Sequence, residues 1–470
     1  MSDRFRQLVT GRFARDTAAT QAGLVVSALC AFATSIILWR GLGQAEYGRY
    51  ALVFALYGLV NILGDVGLGT ASISRVAEAR GAQDAAAFVG QTAYLLKMTV
   101  VIGAAVTAVG VVLAPALARL VYGKPDIGLY ARLLFVSSVV GMGRGFTATL
   151  LAGMRRMRLL AGFNVAFAAA RLAAVGGAVA AGLGLWGVVG AHVAATLVIS
   201  VLGVGIYRRS LGRAEGLPGL GALVRAAVRA PWRRTFKLGA LVTLDRQLVK
   251  LVEVVPVLVL GRLSASAEPA GYFNLARNVM RNLGLVFSGL AKNLLPFFSE
   301  LKGKRQLGRL WRDYRRAVIA GGVAALVVAA VCVPVLPAVL AFFYGEGRAA
   351  LAAVAYVLLA KFAVDGFGIG LGAFVVVADK VWWSARVKLV SLPIGLGVLI
   401  GAALAGRACW EDPLVGAAMG AAAGYAAWWI GMTLVQLVVS FRVLRALATQ
   451  PGAVDADALG VGDAQAGVDS

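Results

Sequence analysis

Polar side chains recur along one short stretch at steps of three, four and seven: Asn274, Arg277, Asn278, Arg281, Asn282, Ser288, Lys292 and Asn293. That spacing places them on one face of a helix, opposite Val279, Leu283, Val286, Phe287 and Leu290. Arg277 and Arg281 fall one turn apart, where two guanidiniums repel unless water or an anion stands between them. Just upstream, Arg246, Lys250 and Glu253 share a face at i, i+4 and i+7, with Asp245 beside them. Tyr57, Asn61 and Asp65 are spaced by four, as are Lys361 and Asp365, and Lys97, Arg144, Asn164 and Arg171 complete the set. Arginine offers a planar two-pronged donor and lysine a movable point charge; both suit a phosphate or diphosphate. The chemistry is therefore anion binding. Arg144, Arg171, Arg246, Lys250, Arg277, Arg281 and Lys361, with Asn61 and Asn278, are the expected ligand-binding residues. Asp65, Asp245, Glu253 and Asp365 are expected to form ion pairs with them or to tune them.

These groups sit in unusual surroundings. Of the 470 residues, 60% are apolar, and mean hydropathy is +0.82; soluble domains run nearer 45–50% apolar. A soluble enzyme, a disordered chain and an ordinary nucleic-acid binder are excluded, despite a net charge of +24. A membrane-spanning helix needs about 20 apolar residues. Twelve runs qualify, at 18–39, 50–72, 87–115, 129–152, 159–182, 186–206, 237–260, 270–295, 316–343, 349–376, 387–406 and 413–441. The expected fold is an all-α polytopic membrane protein of about twelve transmembrane helices in two six-helix lobes. A charge at the centre of such a helix costs about 2.5–3.5 kcal/mol on insertion scales. So many, with cations in excess, imply a polar, net-positive lumen rather than a lipid-facing surface.

Basic residues set the expected orientation. With the N-terminus in the cytoplasm, the inner loops hold Arg155, Arg156, Arg158, Arg208, Arg209 and Lys302 among many others, while the outer loops carry mostly one basic residue each. The expected organisation is a cytoplasmic amphipathic segment at 1–17, an N-lobe at 18–206, a basic cytoplasmic linker at 207–236, a C-lobe at 237–445 and a disordered cytoplasmic tail at 446–470. Residues 221–236 are a candidate second interfacial helix. His192, the one histidine, lies in an apolar run and reads as a packed core residue. Cys30, Cys332 and Cys409 are too scattered for a disulfide framework or a metal cluster, and no cofactor is expected.

The chain repeats itself. Gly43-Gln44-Ala45-Glu46-Tyr47-Gly48-Arg49-Tyr50-Ala51-Leu52 opens the second run, and Glu268-Pro269-Ala270-Gly271-Tyr272-Phe273-Asn274-Leu275 opens the eighth. Gly48 pairs with Gly271, 223 residues away, Tyr50 with Phe273 and Leu52 with Leu275. Six spans lie between the copies, so both halves face the same way and any substrate site falls between them.

These segments, with Asp65-Val66-Gly67-Leu68-Gly69 in the first half and Leu295-Pro296 in the second, resemble the polysaccharide transporter family of the multidrug/oligosaccharidyl-lipid/polysaccharide exporter superfamily. The pattern is similar to that of Wzx-like flippases for O-antigen or capsule repeat units, over about residues 15–445. The resemblance implies an inner-membrane flippase that moves undecaprenyl-pyrophosphate-linked oligosaccharide to the outer leaflet. It implies membrane lipids and the polymerase and chain-length proteins of the same pathway as partners, and no nucleic acid. Asp65, Glu253 and Asp365 are then candidates for coupling transport to an ion. A cation or drug antiporter of the same superfamily is the alternative, although it favours an acidic cavity. A non-transporting scaffold or an enzyme of polysaccharide assembly is a further one. No Gly-x-x-x-x-Gly-Lys-Ser/Thr loop is present, the outer loops are short, and Glu411–Asp412 is their only acidic pair, so the reading is a transporter and not an enzyme.

Overall fold

A computed structural model describes residues 12–448, apart from 65–67, 212–215, 231–235, 304, 305, 346, 347 and 379. Asp65, most of the expected N-terminal segment and the tail beyond 448 lie outside the described residues, as do the side chains of Ser288, Lys292 and Asn293.

All regular structure among the described residues is helical. The N-lobe contains α1 (Arg12–Gly64), α2 (Leu68–Gly81), α3 (Ala85–Tyr122), α4 (Pro125–Val140), α5 (Met142–Gly153), α6 (Met157–Ala180) and α7 (Gly184–Ile206). A π-helical turn, Tyr207–Leu211, and a short helix α8 (Leu220–Arg229) follow. The C-lobe contains α9 (Phe236–Leu263), α10 (Glu268–Gly303), α11 (Leu307–Tyr344), α12 (Arg348–Asp365), α13 (Leu371–Val377), α14 (Val381–Cys409) and α15 (Pro413–Ala448).

Among the described residues, eight helices are long and apolar enough to cross a membrane, nine if the bent pair α4–α5 is taken as one span. The count of twelve follows from their geometry. α1, at 53 residues too long for one crossing, is broken by a kink at Gly43, whose φ of 73° and ψ of 174° depart from an otherwise helical run, a conformation open to glycine. Its two limbs are therefore two spans. α9 and α10 are long enough to cross at 1.5 Å per residue, but they carry the charges that a hydropathy test rejects. Those charges make them lining helices.

Both lobes contain a broken span at corresponding places. α4 and α5 meet at Gly141 with a 45° bend. α12 ends at Asp365, passes through a 3₁₀ turn at Gly366–Gly368, and resumes after Gly370, whose φ is +90°. Gly141 and Gly366 are 225 residues apart, within two of the repeat spacing. Matched discontinuous helices mark the binding region of repeat-built transporters.

The lobes meet around the Gly43 end of the bundle. Trp39 Nε1 donates to the Tyr344 carbonyl at 3.0 Å, and Arg40 donates to the carbonyls of Phe342 and Phe343 at 2.5 and 2.8 Å. Tyr272 Oη donates to Gln44 Oε1 at 2.6 Å, and Lys124 Nζ to the Ser264 carbonyl at 2.8 Å. Burial at this contact pushes the Lys124 ammonium below the usual lysine range; its hydrogen bond to a carbonyl at a helix end offsets that cost. On the other half of α9, Leu244, Arg246 and Lys250 are exposed.

Candidate functional site

Each lobe encloses a cavity beside its broken span. The N-lobe cavity, of about 490 Å³, is bordered by Tyr57, Asn61, Arg144, Phe167, Arg171 and His192, among others. Arg144 stands in the first turn of α5, directly after the Gly141 bend, so the bend aims it inward. Its guanidinium lies 3.9 Å from the centre of the Phe167 ring, and that of Arg171 lies 5.9 Å from the same ring, both within range of a cation–π attraction. The Nε atoms of both arginines are buried and lack a hydrogen-bond partner. A buried donor left unmatched is costly, so these two are poised for an acceptor supplied from outside. Asn61 Nδ2 donates to the Tyr57 carbonyl at 2.8 Å, and the Tyr57 hydroxyl accepts from Ser137 and Ser138 at 3.2 Å each. His192 is buried against Phe54 and within 3.3 Å of the Tyr50 hydroxyl, a packed position that also borders the cavity.

The C-lobe cavity, of about 410 Å³, takes in Glu253, Arg277, Arg281, Lys361, Asp365 and Trp429. Arg277 donates to the Glu253 carbonyl and, at 2.9 Å, to Asn274 Oδ1. Lys361 binds Asp365 at 2.6 Å and lies 4.2 Å from the Trp429 ring centre. Arg281 is exposed although its neighbours Val279 and Met280 are buried; it opens onto the cavity. A further cavity of about 430 Å³ begins on the far side of Asp365 and Trp429 and reaches Asp245, Lys388, Thr433 and Gln436.

Arg144 and Arg171 stand at the N-lobe cavity, and Arg277 and Arg281 at the C-lobe cavity. Four guanidiniums are thus brought to the two cavities, two from each lobe. Among the described lining residues the carboxylates beside them are Glu253 and Asp365, and Asp365 is closed on Lys361, so the set favours an anionic occupant.

The remaining expected site residues fall elsewhere. Arg246 and Lys250 continue the Glu253 stripe of α9, but they line none of these cavities and are exposed. Asn278 reaches the Tyr47 hydroxyl across the lobe contact, together with Asn274. Asp245 pairs with Lys388 of α14 at 2.6 Å. Lys97, within the third apolar run, donates from its Nζ to the carbonyls of Val228 and Ala230 at 3.2 and 2.7 Å. It caps α8 instead of lining the lumen, because α3 is 38 residues long and carries Lys97 well away from its Tyr122 end.

Sequence reasoning missed Lys388 and a stripe on α15. Tyr425, Trp429, Thr433 and Gln436 recur at four, four and three and turn toward the C-lobe cavities. The spacing was present in the sequence, but it lay within an Ala/Gly-rich apolar run with no charge to draw attention to it.

Residues 13–302 match the family of polysaccharide biosynthesis proteins. The chain belongs to that family. No curated protein matches this polysaccharide biosynthesis protein. Among solved structures, it superimposes on an inward-facing multidrug resistance MATE-family transporter of the MOP superfamily with a TM-score of 0.72, 17% identity, and coverage of 91% of this chain and 96% of the other. A MOP superfamily transporter from Pyrococcus furiosus, described as having a binding pocket of reverse polarity that suggests a different function, gives 0.67, 18%, 94% and 98%. An outward-facing MATE-family transporter gives 0.63, 17%, 95% and 99%. At such identities the likeness concerns the fold: twelve helices in two lobes, as in membrane transporters of that superfamily.

Proposed function

We propose that this polysaccharide biosynthesis protein is a flippase that carries an undecaprenyl-pyrophosphate-linked oligosaccharide from the cytoplasmic to the outer leaflet of the inner membrane. One observation carries the reading: each lobe brings two arginines, Arg144 with Arg171 and Arg277 with Arg281, to a cavity beside its broken helix. A set of guanidiniums suits a diphosphate through charge-assisted hydrogen bonds. The cavities supply a polar path for the headgroup, while a polyprenyl tail is at home in lipid.

Basic loops orient the N-terminus to the cytoplasm. The Gly43 end, where the lobes are joined, then faces outward, and the arginines are approached from the cytoplasm. Rocking of the lobes would part the Gly43 end and deliver the headgroup to the other side. A drug or cation antiporter of the same fold would need to hold positive charge where this chain places four arginines.

Replacement of Arg281 by Gln is the direct test. Surface polysaccharide should fall by at least about tenfold, the scale of one lost charge-assisted contact, with the protein still inserted at normal level. Undiminished polymer from both Arg281→Gln and Arg171→Gln would remove the proposal.

A further inference from the structure

The two lobes differ in how their charges are settled. In the N-lobe cavity, no carboxylate appears among the described lining residues. Its two arginines have buried, unmatched Nε atoms, and Phe167 is already covered by both of them. In the C-lobe, most charges are matched. Lys361 is closed on Asp365, Lys388 on Asp245, and Arg277 on Asn274 and the Glu253 carbonyl. Besides Arg281 and Glu253 at the C-lobe cavity, what remains to meet a ligand on that side is a neutral hydrogen-bonding and aromatic surface.

That surface is the α15 stripe. Trp429 borders both C-lobe cavities, and Thr433 and Gln436 border the second. Gln436 Nε2 donates to Ser384 Oγ at 3.2 Å, which fixes its amide. Lys361 holds one side of the Trp429 ring, and the indole also borders the cavity of Thr433 and Gln436; an indole beside hydroxyl and amide groups suits a ring with apolar C–H faces and hydroxyl edges. Aromatic groups and a few placed polar ones are how a pocket binds such a neutral, hydroxylated molecule.

We infer that the lobes divide the headgroup: the diphosphate sits on the N-lobe pair Arg144 and Arg171 with Arg281 bridging, and the first sugar sits in the C-lobe against Trp429, Thr433 and Gln436. This rests on the proposed function and adds a direction to it. The ligand lies across the two lobes with its charged end in one and its neutral end in the other. Sugar preference then resides on α15, and recognition common to any lipid diphosphate resides on α5 and α6.

The test uses the full-length protein in detergent micelles and two probes, undecaprenyl diphosphate and undecaprenyl diphosphate carrying one N-acetylhexosamine. In the unsubstituted protein the sugar should tighten binding by about 3- to 10-fold, the scale of one aromatic contact. Trp429→Leu, and separately Thr433→Val, should erase this gain while leaving the sugar-free lipid within about twofold. Arg144→Gln should weaken both lipids by about 10- to 100-fold and keep the gain. The division between lobes is overturned if the sugar adds nothing, if both α15 variants weaken the two lipids alike, or if Arg144→Gln removes only the sugar's increment. Failure of the unsubstituted protein to bind either lipid overturns the flippase reading together with it.

Discussion

Gly48 and Gly271, which occupy the same position in the two sequence repeats, touch each other where the lobes close. A Cβ on Gly271 would come within 3.1 Å of the Gly48 Cα, and a Cβ on Gly48 would come within 2.1 Å of the Ala267 carbonyl oxygen. The repeat that announces two lobes in the sequence is thus the surface on which they meet.

Gly48→Val should wedge the Gly43 end apart, since the obstructing atoms are backbone and cannot swing aside. Introduced cysteines at Gln44 and Tyr272, which are hydrogen-bonded in the closed arrangement, provide the readout. Disulfide cross-linking between them should be efficient in the parent chain and fall several-fold in the Gly48→Val background. Equal cross-linking in both would show that the glycine contact is dispensable.

The ion pair Asp245–Lys388 joins α9 to α14 with both side chains largely buried. Removing one partner strands the other, a loss of about 3–5 kcal/mol for buried pairs. Lys388→Met should therefore lower the unfolding midpoint in detergent markedly. Adding Asp245→Asn should recover most of the loss. A double variant as unstable as the single one would mean that Lys388 matters through packing alone.

Lys97 holds the C-terminal end of α8 by two carbonyls. Hydrogen bonds from a charged donor contribute about 1.5–3 kcal/mol each. In Lys97→Met, amide exchange over residues 220–230 should accelerate several-fold or more while α3 itself keeps its protection. Unchanged exchange in α8 would assign its docking to Leu223 and Ala227, its own buried residues.

Arg144 and Arg171 should differ from Arg277 and Arg281 in their tolerance of lysine. A point charge cannot reproduce a planar fork placed over Phe167. Surface polysaccharide should fall in Arg144→Lys, by less than in Arg144→Gln but by a measurable factor. Full activity of Arg144→Lys would show that charge alone is used there.

Much of this was legible in the sequence because bilayers impose strong rules. Apolar run length gave the spans, and the Gly48/Gly271 match gave the parallel repeat. Charges costly to bury pointed to the lining helices, so Arg144, Arg171, Arg277, Arg281 and Lys361, which the structure places at cavities, were singled out by their unsuitability for lipid. What stayed hidden depended on partners far away in the chain. Spacing within α9 could not reveal that Asp245 turns to Lys388, 143 residues on, nor that Lys97 serves a helix in the linker. The sequence also suggested a loop between the first two spans at 40–49, whereas helix continues on both sides of Gly43. Neutral cavity lining was hardest to see, since Thr433 and Gln436 carry no charge that burial would penalise.

The kink at Gly43 has a mechanical consequence. Only that residue departs from helical geometry between the first two spans, so the joint has almost no slack. A displacement of the first limb must drag the second, and with it Tyr57 and Asn61 at the N-lobe cavity. Arg40, three residues before the kink, grips the end of α11. Release of that grip would therefore be transmitted down a stiff lever to the cavity wall, without a floppy joint to absorb the stroke.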